Sequence, residues 1–354
     1  MASNPWHVND AGGASMDEQF RRETEGLRRA WAQHDRGMLR DYLVQDVQDP
    51  RINVQSILTR HFLTEHLFPG RFPALEGHEL RFALAMNWLL ALTKSPGWAN
   101  DRAGTVLGAL VDGADAAEGT PIPRHAAETF ALLPAEADGA AVPDYLGDAL
   151  AWMAGNLTDV PLPPHVLATF RGIWRGIFDR AQGEPVRVIE PACGSANDYR
   201  FLDAFGMARC LDYTGLDLSE KNVANARAMF PGVRFEVGSV LEIAAADKAF
   251  DLAFVHDLFE HLSVEAMEAA IAEVCRVTRV ALGVGFFSMH GGPAHVVRPV
   301  GDYHVNLLSA PATEAFFRRR ASAVEVIPID AMLRSRFGAE DTMNKSAYTF
   351  IIRL

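Results

Sequence analysis

Val186 to Asp198 reads VRVIEPACGSAND, and this stretch decides the fold. Val186, Val188 and Ile189 form a short apolar run of the kind that is buried as a strand. The run ends on an acidic residue, Glu190. A turn of small residues follows (Ala192, Cys193, Gly194, Ser195 and Ala196), and Asn197 and Asp198 lead into a helical pattern. Strand, small-residue turn and helix start together make a nucleotide-type cradle. Small side chains let the backbone approach a ligand closely, and the free N–H groups of a helix start add polarity.

Downstream of this stretch, strands and helices alternate. Strands are expected over 186–190, 213–218, 233–237, 250–256, 280–287, 324–329 and 347–353. Helices are expected over 196–210, 220–230, 264–277 and 313–320. Short connections in such a pattern imply a mostly parallel sheet covered on both faces. No helix of crossover length is expected between the last two strands, so the final strand could sit antiparallel.

Upstream, residues 16–160 read as nearly all helix. Phe20, Thr24, Leu27 and Trp31 share one helical face, and Met38, Leu39, Tyr42 and Leu43 make a second short stripe. A helix over 53–68 has Ile57, Leu58, Phe62 and Leu67 as its core, and the most apolar helix covers 75–94. Further helices are expected over 100–112, 121–133 and 143–155, each opening near a Pro, Asn or Asp start signal. The polar stretch QDVQDPRINVQS, Gln45 to Ser56, reads as an inter-helix loop with Asn53 as helix cap. HFLTEH, His61 to His66, reads as a helix with two exposed polar positions. Prolines 161, 163 and 164 mark the domain boundary. The domains expected are a flexible tail over 1–15, a helical domain over 16–160 and an α/β domain over 161–354. The helix over 165–182 carries Phe170, Trp174 and Phe178 as an aromatic stripe expected to pack on the sheet.

The 354 residues are 49% hydrophobic and carry a formal net charge of -12, so real cores form while a surface for a phosphate backbone is excluded. Arg318, Arg319 and Arg320 suit the C-terminal end of a helix. Three scattered cysteines lack metal-ligand spacing and point to a reducing, cytoplasmic setting. The N-terminus has no basic segment followed by an apolar core, so no secretory signal is expected. The apolar run from Phe82 to Leu92 is too short for a membrane span. No nucleic acid, membrane or metal is therefore expected as a partner.

Chemistry gathers at the carboxyl ends of the strands, where open parallel sheets bind ligands. Asp217 ends the second strand in TGLDLS, placed to accept hydrogen bonds from a ribose. Ser239 and Val240 follow the third strand, where an adenine edge can be read. The fourth strand, FDLAFVHD, ends at His256 and runs into Leu258, Phe259, Glu260, His261 and Leu262. A long connection between Phe287 and Thr313 carries His290, His295 and His304 and suits acceptor binding.

From about residue 165 to 354 the chain resembles the class I S-adenosylmethionine-dependent methyltransferases. Glu190 followed by Ala192, Gly194 and Ala196 matches that family's acid and glycine pattern, with only the central glycine kept. Asp217 matches its acid after the second strand. Ser239 stands where an acid follows the third. FDLAFVHDLFEHLSVEAMEAAIAEVCRVTR resembles its fourth strand, turn and helix. The resemblance implies a Rossmann-like domain with a mostly parallel seven-stranded sheet and S-adenosyl-L-methionine as cofactor. The cofactor would be lined by Glu190 (toward the methionyl amine), Ala192, Gly194, Asp217, Ser239, Val240 and His256. It implies methyl transfer to a small-molecule acceptor, with oxygen the first expectation and His261 the candidate base. Aminopropyl transfer on the same fold, or a non-catalytic module that binds cofactor or a partner, are the alternatives. The helical domain covers the acceptor site or supports a homodimer.

Overall fold

The computed structural model describes residues 7–8, 52–70, 72–93, 116–117, 119–124, 174–175, 177–179, 181–301, 303–339 and 344–354. The helical stripes at Phe20 to Trp31 and Met38 to Leu43, the helices expected over 100–112 and 143–155 and the proline boundary at 161–164 lie outside these residues. The chain divides into two compact units. One comprises Met1–Gln182, Ala204–Gly206 and Leu333–Thr342, and the other Gly183–Asp203, Met207–Met332 and Met343–Leu354.

The second unit is built on a seven-stranded sheet. Its strands are β1 (Val186–Pro191), β2 (Leu211–Asp217), β3 (Arg234–Val237), β4 (Phe250–His256), β5 (Thr278–Phe286), β6 (Ala323–Pro328) and β7 (Tyr348–Arg353). They lie in the order β6-β7-β5-β4-β1-β2-β3. Strands β1 to β5 are mutually parallel, and β7 runs antiparallel between β5 and β6. The antiparallel ending was legible; the helix Ile329–Phe337 that precedes it was not. Strand order reverses direction between β1 and β4, which opens a crevice at their carboxyl ends.

Three covering helices begin on a side-chain cap. Ser219 accepts from the Asn222 N–H at the start of Glu220–Met229, Ser263 from Ala266 before Val264–Val277, and Ser309 from Ala312 before Ala310–Arg318. The helix Val264–Val277 buries Met267, Ala270, Ile271, Val274 and Val277, one apolar stripe at helical spacing, in the sheet core. At the opposite end of the strands Asp251 on β4 accepts from Arg187 on β1, 3.1 Å from Nη2, and from Arg279 on β5 at 2.7 Å. Both arginines are half exposed, so this tie contributes on the order of 1 kcal/mol or less.

Two expectations change here. The single helix over 196–210 is instead a short helix, Tyr199–Ala204, and a 3-10 turn, Met207–Cys210, separated at Gly206, whose φ is +82°. In the expected tail, His7–Val8 pairs antiparallel with Ala181–Gln182.

In the first unit, the helices Val54–Leu67 and Pro73–Thr93 fall where their periodicity put them. Asn53 caps the former, accepting the Ser56 N–H at 3.1 Å. The expected helix over 121–133 begins differently: Thr120–Pro121 pairs with Ala116–Ala117 in a small ladder, and residues past Arg124 lie outside the description. His61 is not an exposed position. It is buried beside Arg60 and a fully buried Glu79. Glu79 Oε1 accepts from Arg60 Nη2 at 2.8 Å and from the Trp174 indole at 2.9 Å, and its Oε2 accepts from His61 Nε2 at 2.5 Å. Phe62, expected in the core, is only half-buried. Trp174 belongs to the first unit. It stacks on Phe178 at 5.7 Å within the first unit and meets Phe72 and His61. The cause is chemical: a buried indole N–H requires an acceptor, and a carboxylate on the neighbouring helix supplies it. Burial opposes the charge of Glu79, but Arg60, His61 and Trp174 hold its pKa down at about 2. Glu79→Ala leaves Arg60 buried without its counter-ion and should lower stability by about 3–5 kcal/mol in urea denaturation. Trp174→Phe, which removes one donor and keeps the ring, should cost about 1–2 kcal/mol.

Candidate active site

The small-residue turn after β1 takes the conformation glycine favours, largely without glycine. Ala192, Gly194 and Ala196 have φ of 61°, 56° and 64°. For alanine the left-handed region costs about 1–2 kcal/mol, because Cβ crowds the carbonyl. The turn holds because its backbone is tied down on the next strand. Cys193 N–H donates to the Leu216 carbonyl at 3.1 Å, and Gly194 N–H donates to Asp217 Oδ2 at 2.9 Å. Close packing helps to seat it. A Cβ on Gly215 would stand 2.9 Å from Cys193 Sγ and 2.6 Å from Phe235, so only glycine lets the turn settle there.

Asp217 is the clasp of this region. Its Oδ1 accepts from Ser219 N–H at 2.8 Å and Asn222 Nδ2 at 3.2 Å, while Oδ2 accepts from Gly194 alone. A carboxylate has about four lone-pair directions, so one acceptor position remains, on Oδ2. Beside it Leu218 is 77% exposed, with Val237 at 47% and Leu241 at 46%, an uncommon grouping of exposed apolar side chains at strand ends. Ser239 Oγ accepts the Leu241 N–H at 3.1 Å and keeps its own hydrogen to donate; Val240 is half-buried next to it.

Glu190 turns inward. Its carboxyl is buried and takes the Tyr213 hydroxyl as donor. Burial, and then the negative charge of Asp198, push its pKa well above the usual carboxylate range. Asp198 also loses solvation, yet its partner His256, with Nδ1 at 2.8 Å, holds its pKa below the ordinary value. His256 in turn is raised by Asp198 against the effect of burial. Tyr213, Glu190, Asp198 and His256 thus form one chain across the carboxyl ends of β1 and β4. Neither Asp198 nor Tyr213 was singled out from the sequence. The strand expected over 213–218, which opens on Tyr213, and the acid that follows the small-residue turn were the available signals.

On the other side of β4, His261 sits in the 3-10 turn Phe259–His261. Its Nδ1 lies 3.0 Å from the His304 carbonyl, and its ring meets Phe287 at 5.5 Å and Tyr303 at 6.2 Å. A carbonyl only accepts, so in the neutral ring Nδ1 carries the hydrogen and Nε2 keeps the lone pair. Two histidines of the long connection are set the other way. His290 Nδ1 accepts from Gly292 N–H and His295 Nδ1 from Ser309 N–H, both at 3.0 Å, so their Nε2 atoms carry hydrogen. Of these three rings only His261 offers a basic Nε2. Burial pushes Glu260, its neighbour, up to about 7, although its own amide and the N–H groups of Phe287 and Ser288 act in the other direction.

Residues 188–280 match the family model of a methyltransferase domain. The second unit carries this match and is consistent with a class I methyltransferase domain. S-adenosylmethionine is the cofactor that the resemblance implies, and the residues present fit that group. The turn admits a close backbone approach, Asp217 has an acceptor position left, and exposed apolar side chains suitable for a base lie beside it. Among solved structures, the chain is similar to an S-adenosylmethionine-dependent methyltransferase from Mesorhizobium loti, at 18% identity over 48% of this chain and 92% of that chain, TM-score 0.38. It is also similar to a methyltransferase from Methanosarcina mazei at 14%, covering 49% and 93%, TM-score 0.36. A third is the Burkholderia thailandensis 1,6-didemethyltoxoflavin-N1-methyltransferase at 16%, covering 48% and 71%, TM-score 0.36. No curated protein matches the chain. Among the described residues no helix of the methyltransferase unit or of the first unit is long and apolar enough to cross a membrane.

The strained turn makes a direct prediction. Ala192→Gly should raise stability by about 0.5–1 kcal/mol, since relief of the left-handed alanine exceeds the added freedom of the unfolded chain. Ala224→Gly, at an exposed position of the helix Glu220–Met229, should lower it by about 1 kcal/mol. Paired thermal melts check the opposite signs.

Proposed function

We propose that the protein transfers a methyl group from S-adenosylmethionine to the oxygen of a small-molecule acceptor, with His261 removing the acceptor proton. The observation that carries this reading is the contact of His261 Nδ1 with the His304 carbonyl at 3.0 Å, beyond the carboxyl end of β4, which leaves Nε2 as the lone-pair nitrogen of the uncharged ring. A hydroxyl is a weak nucleophile until its proton leaves, and a ring held this way can take that proton. The cofactor supplies a methyl group already activated by a sulfonium. What falls to this chain is to bind, align and deprotonate.

Asp217 accepts one ribose hydroxyl through the free position on Oδ2, and Leu218 lies against the adenine face. Ser239 donates to the adenine edge beside Val240. The turn from Ala192 to Ala196 brings its backbone to the methionyl end. Glu190 acts there indirectly: engaged by Tyr213 and Asp198, it keeps Asp198 and His256 in place rather than meeting the amine itself. The connection from Phe287 to Thr313 covers the acceptor. Aminopropyl transfer needs an acidic pocket for a polyamine. Of the two acids beyond β4, Glu260 is fully buried and only Asp257 is exposed, which favours methyl transfer.

Calorimetry with S-adenosylmethionine tests the cofactor assignments. Asp217→Ala should weaken binding by roughly 2 kcal/mol, since a hydrogen bond to a charged group is lost along with the clasp; unchanged affinity would remove Asp217 from the ribose. His261→Ala should keep cofactor affinity and slow release of S-adenosylhomocysteine with hydroxyl acceptors by about 10²–10⁴-fold. Full activity in that variant would refute its role as base.

A further inference from the structure

Glu260 is fully buried, next in the chain to the candidate base, and no role so far uses its side chain. Its Oε1 accepts from two consecutive backbone groups, the Phe287 N–H at 2.8 Å and the Ser288 N–H at 3.4 Å. These residues open the long connection after β5. Its Oε2 is buried and has no hydrogen-bond partner among the described residues. The far end of the same connection returns to the same turn. Asn306, also buried, donates its backbone N–H to the Glu260 carbonyl at 2.9 Å and its side-chain amide to the Leu262 carbonyl at 2.7 Å. Its Oδ1 accepts the Arg298 N–H at 2.9 Å, closing the base of a small hairpin in which Pro299–Val300 pairs with Tyr303–His304. That hairpin carries the His304 carbonyl that binds His261 Nδ1. Three successive residues of one turn therefore hold the connection at three places: its start through Glu260, its hairpin through His261, and its return through Glu260 and Leu262.

We infer that Glu260 is a positioning residue of the acceptor site, its buried carboxyl clamping the start of the 287–309 connection onto the 259–262 turn so that the hairpin carbonyl holds His261 with Nε2 basic. Burying a carboxyl with one oxygen unpartnered is costly, and an apolar side chain would avoid that cost. The two amides it gathers explain why a carboxyl stands there. A backbone N–H shielded from water without an acceptor costs about as much as a lost hydrogen bond, and the half-buried Phe287 and Ser288 sit just past the end of β5. The inference rests on the reading of His261 as the base, but it makes a claim about the imidazole that can be measured without any acceptor.

The experiment uses the full chain with ¹⁵N-labelled histidine, as wild type, Glu260→Ala, Glu260→Gln and Asn306→Ala. Long-range ¹H–¹⁵N correlation reports the His261 tautomer, and hydrogen exchange followed by mass spectrometry reports residues 287–309. Wild type should show the Nδ1–H form. Glu260→Ala should populate the Nε2–H form and raise exchange over 287–309 by about tenfold or more. Glu260→Gln should restore both toward wild type, because its side-chain oxygen accepts the same two N–H groups. Asn306→Ala, which leaves Glu260 intact and loosens the hairpin, should shift the tautomer in the same direction. It also decides the matter if Glu260→Ala does not fold. An unchanged tautomer in Glu260→Ala or in Asn306→Ala, or a glutamine variant as perturbed as the alanine one, overturns the inference. If these shifts occur while His261→Ala retains full turnover, the base assignment fails and the positioning of the ring stands.

Discussion

The carboxylate of Asp217 joins the turn after β1 to the start of the helix that follows its own strand. It takes the amide of Gly194 from the turn after β1, the amide of Ser219 at the cap of the following helix, and the side chain of Asn222 one turn in. Charge-assisted hydrogen bonds of this kind are about twice as strong as neutral ones. They let the turn keep left-handed positions at 192, 194 and 196 when two of these are alanine. The conformation of the turn therefore depends on one group, and the approach of β2 to β1 brings that group into place.

Among the described residues three glutamates are buried, and each is managed differently. Glu79 stays ionised because Arg60, His61 and the Trp174 indole all face it. Glu190 is pushed toward its neutral form by burial and by Asp198, which keeps its own charge through His256. Glu260 is pushed up less far, since backbone amides meet one of its oxygens. The common rule is that burial alone disfavours the charge, and the number and sign of facing groups decide how much is recovered. Partner supply rather than depth separates a carboxylate that anchors a helical core from carboxyls that order a site.

The order of elements from β1 to β7, most of their bounds and the antiparallel ending were legible in the chain. Periodicity carries that information directly, as with the apolar stripe of Val264–Val277, found at the expected residues. Asp217 and the turn around Gly194 were legible for a related reason: strand ends in an open parallel sheet are where ligands bind, whatever the detailed packing. The inward turn of Glu190, the chain through Tyr213 and Asp198 and the burial of His61 were not. Each depends on which polar groups from distant segments meet, and one-dimensional spacing holds no record of that. The aromatic stripe at Trp174 and Phe178 illustrates the point. Its periodicity correctly announced burial, while its partner, Glu79, lies 95 positions away.

The sequence by itself determined the α/β alternation, the strand ends that carry function and the family resemblance, because side-chain period and local turn chemistry are properties of neighbouring residues. Tertiary structure alone decided how the polar groups of the site are partnered: which histidine nitrogens meet a carbonyl and which meet an N–H, and which carboxyls have donors facing them. The physical reason is that a proton's place is set by desolvation and by the donors and acceptors within a few ångströms, and those neighbours come from strands and loops far apart in the chain.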